Sequence, residues 1–486
     1  MSDTPQPAAG PPVKGLPMFK STDPQALAVE KARLVELSKQ GFLARCKGYW
    51  AMSGPGWMQS ALTLGAGSAS ASLYAGVLMQ YKILWVQPVA MFLGIVMFAA
   101  MAYQTLCTGA RPFDAMRRYT HPALAWAWAL ASLAATIIWH LPQYALAGGV
   151  TEDMISAVSG WKPTGASETW LLLAIGFVYM LIAVFVTWSY GKSKKGVRLY
   201  ERLLKYCVWL IVASFLAVVV VCAAKRAIDW KALGKGMLPL YFAGPENGEI
   251  SVTIGALAAA VGINMTFLFP YTLLARGWGR EHFGLAKFDL ITGMMIPFVL
   301  ATGLTIIAAG ATIHGTPAMA EIIAKGKISA VQAASIFQAA GIHPLFSRII
   351  FGLGILGMVT SSITMQMLVA GFAICEMFKV EPGGRLYKWA CLIPTPAFIG
   401  VITWARWGPK IAVVASAVCG LLLPIAYVGI FWLNNSKAFL KDDKPRGVRA
   451  LAWNFLMLAA IAVVTTSALY YTFTTALPFI RAKLGI

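Results

Sequence analysis

Acidic side chains are the scarcer charge in this sequence, 19 Asp and Glu against 40 Lys and Arg, and none lies in the middle of a long apolar run. Paired cysteines are missing as well. The seven cysteines are scattered, mostly inside or beside apolar stretches, and no CxxC occurs, which excludes a disulfide framework and a zinc site. There is no GxxxxGKS or GxxxxGKT loop, so no phosphate cradle for a nucleotide drive is indicated. No HExxH and no nucleophile–base pair stands out, and an enzyme is the least supported class. The N-terminal residues hold no apolar core of the kind a signal peptide needs.

What fills the chain is apolar: 58% hydrophobic residues, with a mean hydropathy of +0.69 and only 12% charged. A soluble domain cannot hide that much apolar surface, so the composition is that of a polytopic integral membrane protein embedded in a lipid bilayer. Eleven spans are expected, at about 49–80, 83–108, 122–149, 169–190, 204–224, 251–275, 287–313, 346–376, 387–405, 411–433 and 450–475. Each covers a ~30 Å hydrocarbon core at about 1.5 Å per residue. The net charge of +21 invites nucleic acid as a partner, but the basic residues lie mostly in short loops. With the N-terminus inside, 27 of the 40 Lys and Arg fall on the cytoplasmic side and 13 on the other. That bias orients the chain N-inside and C-outside in an inner or plasma membrane, with no nucleic-acid role. The basic loop Lys192-Ser193-Lys194-Lys195 reads as topogenic, and Trp126, Trp128, Trp161 and Trp170 read as interfacial anchors.

The chain is organised around Gly65-Ala66-Gly67-Ser68-Ala69-Ser70-Ala71-Ser72, near the middle of the first span. Two glycines two apart, followed by alternating serines, make a poor helix interior. Backbone opened in hydrocarbon survives only where protein or a wet cavity surrounds it. A freed helix start also aims its N–H groups and positive dipole end at whatever sits there. The sixth span carries a second mid-span cluster, Gly262-Ile263-Asn264-Met265-Thr266, with Pro270 one turn later. Proline removes a donor and clashes with the preceding turn. Paired interruptions five spans apart point to an inverted-repeat transporter with its site at the midplane. A stripe of small residues packing two helices together is the competing reading of each interruption taken alone.

These residues resemble the Nramp divalent-metal transporters. Gly54-Pro55-Gly56, the Gly65–Ser68 break, Ala75-Gly76 and Tyr81 to Trp85 look like the family's first span. The sixth span, followed by Arg276, Ala286 and Asp289, is similar to their sixth and the start of their seventh. Gly352-Leu353-Gly354-Ile355-Leu356-Gly357, Thr360-Ser361-Ser362-Ile363-Thr364 and Gly371 look like their eighth. The resemblance implies an all-α LeuT-type fold of about 11 transmembrane helices, a 5+5 inverted repeat with helices 1 and 6 broken, and alternating access. On that frame residues 1–47 are a cytoplasmic segment with a Pro-rich stretch, Pro5 to Pro17, expected to be disordered, and a surface helix over 26–43. Residues 48–224 are the first repeat, 225–250 an extracytoplasmic loop, 251–433 the second repeat and 434–486 the last span and C-terminus.

The chain departs from the family where metal is bound. The family's Asp-Pro-Gly-Asn is here Gly65-Ala66-Gly67-Ser68, and its Met-Pro-His is Ile263-Asn264-Met265. Met265 is two positions from the family's thioether, which on a continuous helix turns it about 200° away. The family's proton-carrying Asp and Glu fall on Trp139 and Pro142. Asp289 and Glu376 sit at span ends. A divalent ion at the midplane needs oxygen, nitrogen or sulfur ligands and compensating negative charge. The first expectation is therefore an Nramp-like secondary-active transporter of a small neutral or anionic solute, with no cofactor and no protein-bound metal. Its substrate residues would be Gly65, Ala66, Gly67, Ser68, Ser70, Ile263, Asn264, Met265 and Thr266. Coupling to H⁺ or Na⁺ would use His140, Gln143, Ser361, Ser362 or Thr364. The alternatives are a divalent-cation carrier with an atypical site, and a non-transporting membrane sensor or scaffold.

Overall fold

The computed structural model describes residues 24–189, 194–241, 248–339, 341–380 and 382–484. Pro5–Pro17, and Lys192 and Ser193 of the basic loop, lie outside the described residues. Every regular element among the described residues is helical. Among the described residues nine helices are long and apolar enough to cross a membrane, and Pro55–Thr63 with Ala66–Met79 makes a tenth, bent by 55°. These two are spans 1a and 1b. Spans 2, 3 and 4 are Val86–Thr108, Pro122–Ser159 and Ala166–Ser189. Span 5 is Lys194–Ala224, whose apolar part, Val208–Ala224, is shorter than the rest because Lys and Arg occupy its first turns. Span 6 consists of 6a, Glu249–Ala260, and 6b, Ile263–Ala275. Spans 7 to 11 are Arg280–Thr312, Pro344–Met377, Arg385–Trp407, Lys410–Asn435 and Gly447–Phe479. The expected eleven thus resolve into ten full spans and one short apolar helix.

Local chemistry places the ends. Pro55, Pro122 and Pro344 open their helices at the first position, where the missing N–H costs nothing. Gly109 and Gly160 close spans 2 and 3 in the left-handed region, at φ of 62° and 71°. Span 3 runs 38 residues to Ser159, well past the expected end at 149, and carries Glu152 and Asp153 on its last turns. Residues 26–43, expected as one surface helix, are two helices, Pro24–Lys39 and Phe42–Met52. The first docks on the turn before span 7, with Trp278 Nε1 donating to Glu30 Oε1 at 2.9 Å.

On the face that carries these N-terminal helices, the start of 1a is bolted to span 7. Asp289 accepts N–H bonds from Gly54 at 3.0 Å and Gly56 at 2.6 Å. A carboxylate at a helix start satisfies free donors and opposes the helix dipole. The approach needs glycine: a Cβ at Gly56 would lie 2.2 Å from the Asp289 carbonyl oxygen, and one at Gly54 1.8 Å from the Arg276 guanidinium. Nearby, Arg111 pairs with Glu376, which also accepts from the Tyr271 hydroxyl at 2.9 Å. The opposite face is tied by Arg348 to Asp153, Nε to Oδ2 at 2.8 Å. Beside that pair lies an open vestibule of about 460 Å³.

Asp289→Ala leaves two buried N–H groups without acceptors, at about 1–3 kcal/mol each. The variant is expected to melt lower, and Met52–Gly56 to exchange amide hydrogens faster than wild type by mass spectrometry. Unchanged exchange in that segment would show that the contact does not hold 1a.

Candidate functional site

Both expected interruptions are present, and both are made by extended backbone rather than by proline. Span 1 opens at Leu64 and Gly65, the latter at φ −129° and ψ −162°. Span 6 opens at Val261 (φ −143°, ψ 121°) and Gly262 (φ −93°, ψ 152°). The second opening lies just ahead of the polar cluster, and helix 6b continues through Pro270 to Ala275.

Side chains take up the freed backbone groups. Ala66 N–H donates to Gln143 Oε1 at 3.0 Å, and Gly65 N–H to Ser68 Oγ at 3.2 Å. The Ser362 hydroxyl donates to the Ala61 carbonyl at 2.7 Å, and the Thr63 hydroxyl to the Ala260 carbonyl at 2.8 Å. Thr63 therefore ties the carbonyl end of 1a to that of 6a.

Met265 is where the helical argument fails. Its Sδ lies 3.4 Å from Thr63 Oγ1 and 3.3 Å from Gly262 N. The 200° rotation assumes an uninterrupted helix, and the extended Gly262 removes that assumption. The thioether sits at the junction of both breaks. Asn264 accepts the N–H of Met265 at 3.0 Å, and Ile263 contributes its carbonyl to Ser132 Oγ at 3.3 Å. Thr266 turns toward span 3, accepting from Trp128 Nε1 at 3.0 Å and donating to the Ile263 carbonyl at 2.6 Å. Trp128 is accordingly buried and is not an interfacial anchor, whereas Trp126, Trp161 and Trp170 are exposed.

Around span 1b the residues separate into two sets. Gly67 is covered: a Cβ there would lie 2.0 Å from the Trp139 ring and 2.6 Å from Ser416 Oγ. Ser68, Ser70 and Ser72 line a cavity of about 30 Å³ with Thr302 and Thr305 of span 7. That is room for one or two waters. Ser70 and Ser72 are buried, with hydroxyls that have no hydrogen-bond partner among the described residues. Trp404 and Ala330 line both this cavity and the outer vestibule.

The coupling candidates are dispersed. His140 Nδ1 lies 2.8 Å from Gln366 Oε1, and its Nε2 is buried with no hydrogen-bond partner among the described residues. Ser361 and Thr364 bond back to the carbonyls of Met358 and Ser361 in their own helix. Only Ser362 and Gln143 reach the break, both beside Gly65. Thr63 escaped the sequence reading and Trp128 was taken for an anchor, because their partners lie more than a hundred residues away and no spacing signals them. Among the described residues no group of three or more His, Cys, Asp or Glu side chains could hold a metal ion.

Two broken helices meeting at mid-membrane, held by spans 3 and 8, define an integral membrane protein of the LeuT-type transporter fold. The chain belongs to the Nramp family: the natural resistance-associated macrophage protein-like model matches residues 56–474. A curated relative, the divalent metal cation transporter MntH of Verminephrobacter eiseniae (strain EF01-2), is 23% identical over 427 residues, 86% of this chain and 88% of that protein. The Eremococcus coleocola manganese transporter, solved with an aromatic bis-isothiourea substituted compound, superposes with a TM-score of 0.68 at 15% identity, covering 89% of this chain and 88% of that one. MhsT in complex with L-phenylalanine gives 0.56 at 15% identity, over 85% and 98%. Mhp1, a nucleobase-cation-symport-1 family transporter, gives 0.55 at 11% identity, over 86% and 92%.

Gly67→Ala is expected to cost about 1–3 kcal/mol by overpacking against Trp139. Combined with Trp139→Leu, the loss should shrink in a double-mutant cycle of thermal unfolding. Additive losses would mean that the ring does not press on this turn.

Proposed function

We propose that this chain is a secondary transporter of the Nramp family that carries a divalent metal cation by alternating access. The sequence reading put a neutral or anionic solute first and a divalent cation second; the relatives support the opposite order. MntH is named for divalent metal cations, and the Eremococcus coleocola protein for manganese. The structural observation that carries the cation reading is the position of the Met265 thioether, a soft ligand, beside Thr63 and the carbonyl ends of 1a and 6a. Each helix end contributes a partial charge of about −0.5, which offsets part of the charge that no carboxylate balances here. Ser68, Asn264 and backbone carbonyls complete a neutral donor set. The substrate therefore passes between repeats 48–224 and 251–433, with the N-terminus in the cytoplasm.

The solute reading retains one observation in its favour. The break lacks a fixed negative charge, and unlike a cation an anion or neutral solute needs none. Coupling falls to His140, a titratable side chain buried within span 3 against Gln366 of span 8. A sensor or scaffold would move no solute.

The test is uptake of manganese by the full chain in proteoliposomes. Saturable uptake is expected, and Met265→Leu, a swap of nearly equal volume, should lower it at least tenfold without loss of folded protein. Accumulation of amino acids or organic acids without manganese would establish the solute reading. No uptake of either would leave the sensor. His140→Ala is expected to flatten the pH profile of transport, and an unaltered profile removes His140 from coupling.

A further inference from the structure

The N-terminal helix Phe42–Met52 has one face that the protein does not cover. Phe42 and Leu43 are 70% and 82% exposed, and Trp50 is 44% exposed. At about 100° per residue, these three and the half-buried Cys46 fall within one arc of roughly 100°. Arg45 and Lys47 stand at the two edges of that arc. The opposite side is packed. A Cβ at Gly48 would lie 2.5 Å from the Leu37 side chain, and the Tyr49 ring meets Phe288 of span 7 at 5.6 Å. The exposed arc is therefore fixed in direction. Trp50 rests edge-on against Trp57 of 1a at 5.6 Å, and Lys205 of span 5 lies 5.0 Å over that Trp57 ring.

Three large apolar side chains on one exposed arc mark an interaction surface. Position and charge say what covers it. Only Ser53 and Gly54 separate this helix from 1a, so it lies at the membrane face where 1a enters. It contains no Asp or Glu, and Lys39 just ahead of it adds a third positive charge. Among the described residues no ion pair involves Lys39, Arg45 or Lys47. An apolar arc with a tryptophan, edged by cations, suits a helix lying in the headgroup layer. Its apolar side chains reach the acyl boundary and its cations meet phosphates. We infer that Phe42–Met52 docks on anionic lipid, with Phe42, Leu43 and Trp50 inserted and Arg45 and Lys47 against the headgroups. The surface helix expected over 26–43 is thereby displaced along the chain: the first helix buries Leu34 and Leu37, and the second takes the lipid. Because the docked helix leads into 1a, lipid holds the same end of 1a that Asp289 grips. What the transport site carries has no bearing on this surface.

The full chain, one copy per disc, is placed in nanodiscs of phosphatidylcholine alone or with about one third phosphatidylglycerol. Amide exchange over residues 42–52 is followed by mass spectrometry. One copy per disc excludes a second copy as the cover. Wild-type exchange is expected to be at least threefold slower in the anionic discs. Arg45→Gln with Lys47→Gln should erase the difference between the lipids, and Phe42→Ser with Leu43→Ser should give fast exchange in both. Equal wild-type exchange in the two lipids would overturn the inference, whether slow, as when residues 1–23 cover the face, or fast, as when another protein does. A lipid difference that survives Arg45→Gln with Lys47→Gln would overturn it as well.

Discussion

Hydrocarbon supplies no hydrogen bonds, so backbone opened at the centre of a membrane protein must find its partners within the protein. Two such openings stand face to face here, and the arrangement around them follows from that requirement. Gln143 takes the Ala66 N–H, Ser362 and Thr63 take carbonyls of 1a and 6a, and the Met265 sulfur takes the Gly262 N–H. Each group left unpaired would cost about as much as a mutation that unfolds a marginal protein. The same side chains that keep the helices open therefore converge where the two breaks meet. Satisfying the backbone already places polar atoms at the junction of the two breaks.

Charge is managed by exclusion. Two buried carboxylates and a half-buried one stand at the two faces, where a partner or a helix start meets each: Asp289 at the start of 1a, Glu376 against Arg111 and Tyr271, and the half-buried Asp153 against Arg348. An unpaired charge at the centre would cost several kcal/mol or more. Keeping the centre neutral avoids that cost.

The fold was legible in the sequence to the extent that it depends on local composition. Gly65 to Ser72 announces an interruption because glycine and serine weaken a helix wherever they stand, and eleven apolar runs with basic loops announce the spans. The sixth-span interruption was also visible, but Pro270 drew attention to the wrong place. Extended Val261 and Gly262 open the helix, while Pro270 lies inside 6b. That displacement governs Met265, whose direction depends on backbone before it rather than on helical periodicity. Trp128 was illegible for another reason. Its indole meets Thr266, 138 residues away, and at a distance in sequence an interfacial and a buried tryptophan look alike.

The bolt at Asp289 has a mechanical consequence. Helix 1a has nine residues, so it is a stiff rod roughly 13 Å long at about 1.5 Å per residue. Its pivot would be Leu64 and Gly65, where the backbone leaves the helix, and its far tip is what Asp289 grips. A swing of only about 10° carries that tip more than ~2 Å, beyond the reach of a hydrogen bond. The pivot meanwhile scarcely travels. Leverage of this kind would let that face part while the junction keeps its shape, and it places the latch as far from the break as the half-helix allows.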